Sequence, residues 1–180
     1  MAEPRSLPEL VAARAAGPLQ TEEFAPGVTF AALAGAPARL PAELRFLHDA
    51  GPWEVPTKRG IAVLEPLALL IAARAVARAA ALHEHDRVAL VGHPASLRLR
   101  LAGVAAALYA GATVVAHEAD DATVVVTEET ITVEGETSAW EGWPETCGLA
   151  AIGSTWLDRM ESQVRDGEVC VRGPLVMAGY

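Results

Sequence analysis

The chain has 180 residues, enough for one domain with a real core or for a domain plus a small appendage. Its formal net charge of −9 argues against nucleic acid or an anionic membrane surface as the main partner, because both select a basic face. Two cysteines, Cys147 and Cys170, are too few for a disulfide framework and too widely spaced for a zinc site.

The N-terminus, Met1 to Arg5, has no apolar run of the kind a secretory leader carries, and two reduced thiols fit the same cytoplasmic expectation. Ser6 to Gly17 fits a short helix, with Ser6 as N-cap, Pro8 in the first turn and Gly17 as the stop. From Phe24 to Leu44 the chain is punctuated by Pro26, Gly27, Gly35, Pro37 and Pro41, so short pieces are expected and residues 1–45 form a helical and irregular segment. The longest apolar stretch, Leu64 to Leu82, is interrupted by Glu65, Pro66, Arg74 and Arg78, whereas a membrane span needs about 20 apolar residues with few charges. It reads as a buried helix over Leu67 to Leu82, opened by Pro66, and no membrane partner is expected.

Arg87 to Gly92 is a short apolar run ending in glycine, typical of a buried parallel strand. Ser96 to Tyr109 is helical by composition, with Ser96 as N-cap, and Gly111 ends it before a second apolar run, Ala112 to Ala116. Strand, helix and strand make one βαβ unit with a right-handed crossover. Thr123 to Thr127 and Thr130 to Val133 read as two strands around a tight Glu128-Glu129 turn. Glu134 to Trp143 reads as polar and irregular, and Asp166 to Pro174 as one strand between turn signals. The expected class is α/β: a small, mostly parallel sheet with flanking helices, plus a short β-rich C-terminal segment.

Particular residues carry a family resemblance. Asp166-Gly-Glu-Val-Cys-Val-Arg-Gly-Pro-Leu-Val-Met-Ala-Gly-Tyr180 resembles the glycine-glutamate, Val-Arg-Gly-Pro, Val-Met, Gly-Tyr segment of adenylate-forming enzymes, the superfamily of acyl-CoA synthetases, luciferases and peptide-synthetase adenylation domains. Gly142-Trp-Pro-Glu-Thr-Cys-Gly148 looks like a worn copy of that family's Tyr-Gly-x-Thr-Glu motif, and Gly153 to Arg165 like the connection between the two. The βαβ unit, with Asp86-Arg-Val88 and Ala110 to Val115, resembles the segment after the family's phosphate-binding loop. The resemblance implies that residues 46–143 correspond to the nucleotide-binding subdomain and 144–180 to a remnant of the β-barrel subdomain.

It also implies where chemistry has been lost. The family's phosphate loop is rich in Ser, Thr and Gly and ends in Pro-Lys-Gly, so that hydroxyls, amides and a lysine surround ATP phosphates. The matching stretch, Phe46 to Gly60, keeps Gly51, Pro56, Lys58 and Gly60 in outline and Thr57 as its hydroxyl. Asp49, Pro52, Trp53 and Glu54 fill the rest, and two carboxylates repel a triphosphate. In the second motif Glu145 and Thr146 are the positions that would meet nucleotide or magnesium, but Pro144 stands where the family has Thr. The family's ribose-gripping Asp and catalytic C-terminal Lys find no counterpart in these residues.

Among other groups, His93 follows the first strand of the βαβ unit, where pocket residues gather in α/β sheets, and with Trp143 it is a candidate for a ligand pocket. His83-Glu-His85 has no third ligand nearby for a metal, and Cys147 has no base beside it in sequence. Trp53, Trp140, Trp143 and Trp156 fall around the two altered motifs, filling lost pocket space or lining a site. No catalytic residue, no metal and no cofactor are therefore expected. The reading is a cut-down homologue that is inactive alone and binds or scaffolds through self-association. The alternatives are a minimal AMP-forming ligase using ATP and magnesium with a partner chain, or a protein that holds a carboxylic acid or other acyl or aryl ligand.

Overall fold

The structure, a computed structural model, describes residues 3–116, 119–143, 146–157, 160–165 and 168–176. The first helix, α1 (Leu7–Ala15), starts where Ser6 is extended and its Oγ accepts the Glu9 N–H at 3.4 Å. It buries Leu7, Leu10 and Val11. A small hairpin, β1 (Glu23–Ala25) and β2 (Val28–Thr29), leads into α2 (Phe30–Leu33), whose cap is the Thr29 hydroxyl accepting from Ala32 N–H at 3.2 Å. Phe24 and Phe30 seal this corner with ring centroids 5.2 Å apart. Two 3₁₀ segments follow, Pro37–Arg39 and Ala42–His48, the second burying Leu44, Phe46 and Leu47.

The second half of the stretch matched to a phosphate loop enters an antiparallel hairpin, β3 (Trp53–Thr57) and β4 (Gly60–Leu64), paired from Trp53↔Leu64 to Thr57↔Gly60. Lys58 and Arg59 form its two-residue turn. Next comes α3 (Pro66–Ala79), opened by proline as expected, with Ala72, Ala73 and Val76 fully buried. It stops three residues before Leu82 for a local reason. Ala81 sits in the left-handed region at φ 49°, and Leu82 N–H bonds to Ala77 O while Ala81 N–H bonds to Arg78 O. That is the Schellman pattern, built here on alanine rather than glycine.

Strand β5 (Arg87–Val91) is followed by a π-helical segment, Leu99–Ala105, that continues as α4 (Ala106–Ala110). The helix starts at Leu97 directly after Ser96, as expected, with Ser96 O accepting the Arg100 N–H at 3.0 Å; the one correction is that it runs as π rather than α over Leu99–Ala105. Gly111 ends α4 at φ 85°. The guanidinium of Arg14 then closes the helix end by donating to Leu108 O at 3.0 Å and to Tyr109 O, a cation at a helix C-terminus. Burial lowers the Arg14 pKa, opposed by Tyr109 and Glu84. α3 packs on the π segment and α4 through small side chains, in line with the alanine-rich composition.

Strand β6 (Thr113–Val115) pairs parallel to β5, and β7 (Val124–Thr127) pairs parallel to β5 on its other side. The carboxylate of Asp86 ties the starts of β5 and β7, accepting the Thr123 hydroxyl at 2.9 Å and the His83 N–H at 2.8 Å. Beyond β7 the expectation of a mostly parallel sheet is wrong. Strands β8 (Thr130–Val133), β9 (Glu136–Glu141), β10 (Ala151–Ile152) and β11 (Thr155–Trp156) add antiparallel neighbours. Among the described residues the seven-stranded order is β11-β10-β9-β8-β7-β5-β6, so the sheet is mixed and runs across residue 144. The two-residue turns joining β7 to β8, β8 to β9 and β10 to β11 dictate three of these pairings, since a short turn can join only antiparallel neighbours.

Two further expectations need correction. Glu134 to Trp143 is not irregular; it contains β9, whose only buried member is Trp140, its indole N–H donating to Thr127 O at 3.1 Å. At the C-terminus the expected single strand is half of a hairpin, β12 (Glu161–Arg165) with β13 (Glu168–Arg172).

Candidate functional site

Three strands run parallel, so their C-terminal ends face one edge of the sheet, the edge where open α/β sheets place ligands. At that edge the chain forms a crevice of about 390 Å³. Its floor is strand ends: Leu90 and Gly92 after β5, and Val114 to Ala116 at the end of β6. One wall is the π segment, through Leu99 and Val104. Pro26 and Ala25 of the first hairpin and Pro41 and Leu44 of the 3₁₀ segment close the other side. The volume lies in the range of small-molecule pockets, and among the described residues its lining is apolar except for Glu43.

Local sequence explains this shape. Gly92 leaves β5 at φ 140°, and a Cβ there would lie 3.1 Å from Leu99 Cδ1 and from the Glu128 side chain. Gly103 lets the π segment settle on the sheet, since a Cβ on it would lie 2.3 Å from Leu90 Cδ2. Leu90 and Leu99 thus stand at the crevice because two glycines allow the backbone to come close. Seven residues of π geometry are rare, and π turns concentrate at functional sites.

Beside the crevice lies a polar network centred on Arg98. Its guanidinium donates from Nε to Gly148 O at 2.8 Å, from one terminal nitrogen to Glu128 O at 2.7 Å and from the other to Gly142 O at 3.2 Å. Burial lowers the Arg98 pKa, and the carboxylates of Glu141, Glu128 and Glu129 oppose that effect. The same Glu128 accepts the His93 N–H at 2.9 Å, and His93 Nδ1 accepts from Ala95 N–H at 3.1 Å. The loop held by Arg98 is the Gly142 to Gly148 motif. There the Thr146 hydroxyl, fully buried, accepts the Trp143 N–H at 3.0 Å and donates to Trp143 O at 2.9 Å. Cys147 is buried at φ 57°, its thiol directed to Leu175 O at 3.5 Å, and burial pushes its pKa up to about 12.

The residues named from sequence therefore divide. His93, Trp143 and Thr146 share one hydrogen-bonded network through Glu128 and Arg98, with His93 between two crevice residues, Gly92 and Pro94. Gly51, Thr57, Lys58 and Gly60 belong to the β3–β4 hairpin and its approach. Two of them are engaged locally: Asp49 Oδ1 accepts the Gly51 N–H at 3.0 Å, and Thr57 Oγ1 accepts the Arg59 N–H at 3.1 Å. Glu145, the magnesium candidate, lies outside the described residues. Among the described residues no group of three or more His, Cys, Asp or Glu is placed to hold a metal.

Two other concavities differ in character. A groove of about 560 Å³ beside the hairpin is lined by Trp53 and Phe46, which pack edge-on at 5.6 Å, with Arg100 over the Phe46 ring at 5.5 Å and Asp49 and Glu54 also in the lining. A groove of about 740 Å³ runs between residues 3–9 and α3, where Glu3 pairs with Arg74 at 3.5 Å.

Sequence reasoning missed the crevice side chains and Arg98. The crevice gathers residues from five separate stretches, and no local pattern in any one of them marks it. Arg98 carried a signal, a cation between Leu97 and Leu99 in an apolar run, which marks a charge that has to be anchored. No protein-family model matches this chain, and no curated protein matches it.

Proposed function

We propose that this chain is a binding protein rather than a catalyst, a cut-down homologue of adenylate-forming enzymes that holds a small, largely apolar ligand at the C-terminal ends of β5 and β6. The observation that carries the reading is the crevice, a concave apolar volume at the edge of a parallel strand set, walled by a π-helical segment. Two local facts argue against ATP chemistry. In the stretch matched to a phosphate loop, Trp53 to Thr57 are paired up to a two-residue turn, which leaves a short arc of backbone around Lys58 for three phosphates. The Thr146 hydroxyl is buried and engaged within its own loop.

The test is thermal stabilisation and calorimetry with small aryl and acyl compounds, in the native chain and in Ala116→Phe. Ala116 is exposed at the crevice, so a phenyl ring there blocks it without disturbing the core. Saturable binding lost in the variant supports the reading; binding of equal strength in both places the ligand elsewhere. ATP–pyrophosphate exchange with carboxylic acids is expected to be absent, and exchange that falls on Lys58→Ala would instead favour the minimal ligase.

Self-association is the second part of the reading. All five residues of β12 are exposed, Val164 at 69%, and Trp156 on the edge strand β11 is 38% exposed. A lone two-stranded ribbon is marginally stable in water and gains from pairing with another copy. Light scattering at micromolar concentration is expected to give a dimer or larger; a monodisperse monomer contradicts it.

A further inference from the structure

We infer that the crevice selects a cationic amphiphile, an apolar body carrying an ammonium group, over the carboxylates that the family resemblance implies; the inference rests on the crevice being the binding site. Among the described residues lining the crevice, Glu43 is the single ionisable side chain, and the rest are Ala, Pro, Leu, Val and Gly. It is exposed, so its carboxylate stands at the solvent-facing part of an otherwise apolar volume. An amphiphile entering such a volume buries its apolar body and leaves its head group in the neighbourhood of that charge.

The sign of the interaction follows directly. A carboxylate head meets Glu43 as a like charge, and an ammonium head meets it as an opposite one. The nearest cations in sequence, Arg39 and Arg45, do not line the crevice, and Arg45 Nε is directed to Leu40 O at 3.1 Å. The chain's net charge of −9 adds a background of the same sign. Size can be bounded too. At the ~30 Å³ that one water occupies in the liquid, 390 Å³ holds about 13 water-sized groups. A ligand of roughly ten non-hydrogen atoms fits, a phenyl ring on a three-carbon chain with one head group.

The experiment compares three probes with one skeleton, 3-phenylpropylamine, 3-phenylpropanol and 3-phenylpropanoate. Each is titrated into the native chain, Glu43→Gln and Ala116→Phe at low and at physiological salt. The expected result is that the amine binds about tenfold tighter than the carboxylate, with the alcohol between them. The preference should shrink to about twofold or less in Glu43→Gln and weaken with salt, and Ala116→Phe should abolish binding of all three. If the alcohol binds at the crevice and the carboxylate matches or exceeds the amine, the charge selection is wrong and the crevice stands. If the amine preference persists unchanged in Glu43→Gln, it comes from the acidic surface at large and the inference is overturned. If none of the three binds, the crevice reading falls and this inference with it.

Discussion

Replacing Arg98 with Met keeps a flexible, roughly isosteric stem and removes the guanidinium that joins the π segment to two distant loops. Three carbonyls, Gly148 O, Glu128 O and Gly142 O, lose their donor at once. Hydrogen bonds to a charged group contribute about 1.5–3 kcal/mol each, which would sum to roughly 4.5–9 kcal/mol if all were dry and independent. They are neither. The side chain is half-buried, the Gly142 bond is long at 3.2 Å, and water can reach part of the vacated space. Burial of the guanidinium also opposes its own contribution, as its lowered pKa indicates. A net loss of about 2–4 kcal/mol follows, against typical stabilities of about 5–15 kcal/mol, so the variant folds. At about 2–4 °C per kcal/mol for a chain of this size, Tm falls by roughly 9 °C. Urea unfolding should show a lower midpoint with an unchanged slope. Hydrogen exchange should quicken first at residues 146–149 and 128–131. Arg98→Lys should rescue little, because one ammonium cannot span three acceptors in a plane. A loss below about 0.5 kcal/mol with unchanged exchange in the Gly142 to Gly148 loop would refute the clamp.

Gly103→Ala puts a methyl 2.3 Å from Leu90 Cδ2, so it should destabilise by about 1–3 kcal/mol, with Leu90→Ala in the same chain recovering part of the loss in a double-mutant cycle. Ala81→Gly relieves a left-handed alanine at the end of α3 and should raise stability by about 0.5 kcal/mol in the same denaturation assay, the left-handed penalty exceeding glycine's entropic cost. Cys147 gives a pH signature. Its thiol pKa is raised in the folded state, from 9.0 to about 12, so its contribution is fully present below pH 9 and is lost as pH rises toward 12. Alkaline denaturation of Cys147→Ala should therefore show a shallower decline over that window, and in the native chain a thiol reagent at pH 8 should modify exposed Cys170 rapidly and Cys147 only on unfolding.

Much of the local structure was legible because short-range chemistry decides it. The cap of Ser6, the proline opening of α3, the apolar runs of β5 and β6 and the stop at Gly111 all act within a few residues. The pairing of β7 with β8 was legible for the same reason, a tight turn between β-branched runs. What escaped depends on partners far along the chain. β9 is polar at four of its six positions and is a strand because β8 and β10 supply its ladder, with Trp140 its one buried side chain. The π turns are invisible to hydropathy, whose period hardly distinguishes them from α. The outline of Gly51, Lys58 and Gly60 could be read from spacing, whereas the antiparallel pairing of Trp53 to Thr57 between them depends on a partner strand that follows Gly60. Of the candidate site, His93 and the Gly142 to Gly148 loop could be named from sequence, while Arg98, which ties them together, could be seen only as a charge out of place.

The most direct test of the account is a crystal structure of the chain soaked with 3-phenylpropanol, a neutral probe that separates crevice binding from charge. The phenyl ring is expected between Leu44, Leu99 and Val115, with the hydroxyl toward Glu43 and the solvent. An empty crevice at saturating probe, or a ring seated beside Trp53 and Arg100 instead, would contradict it.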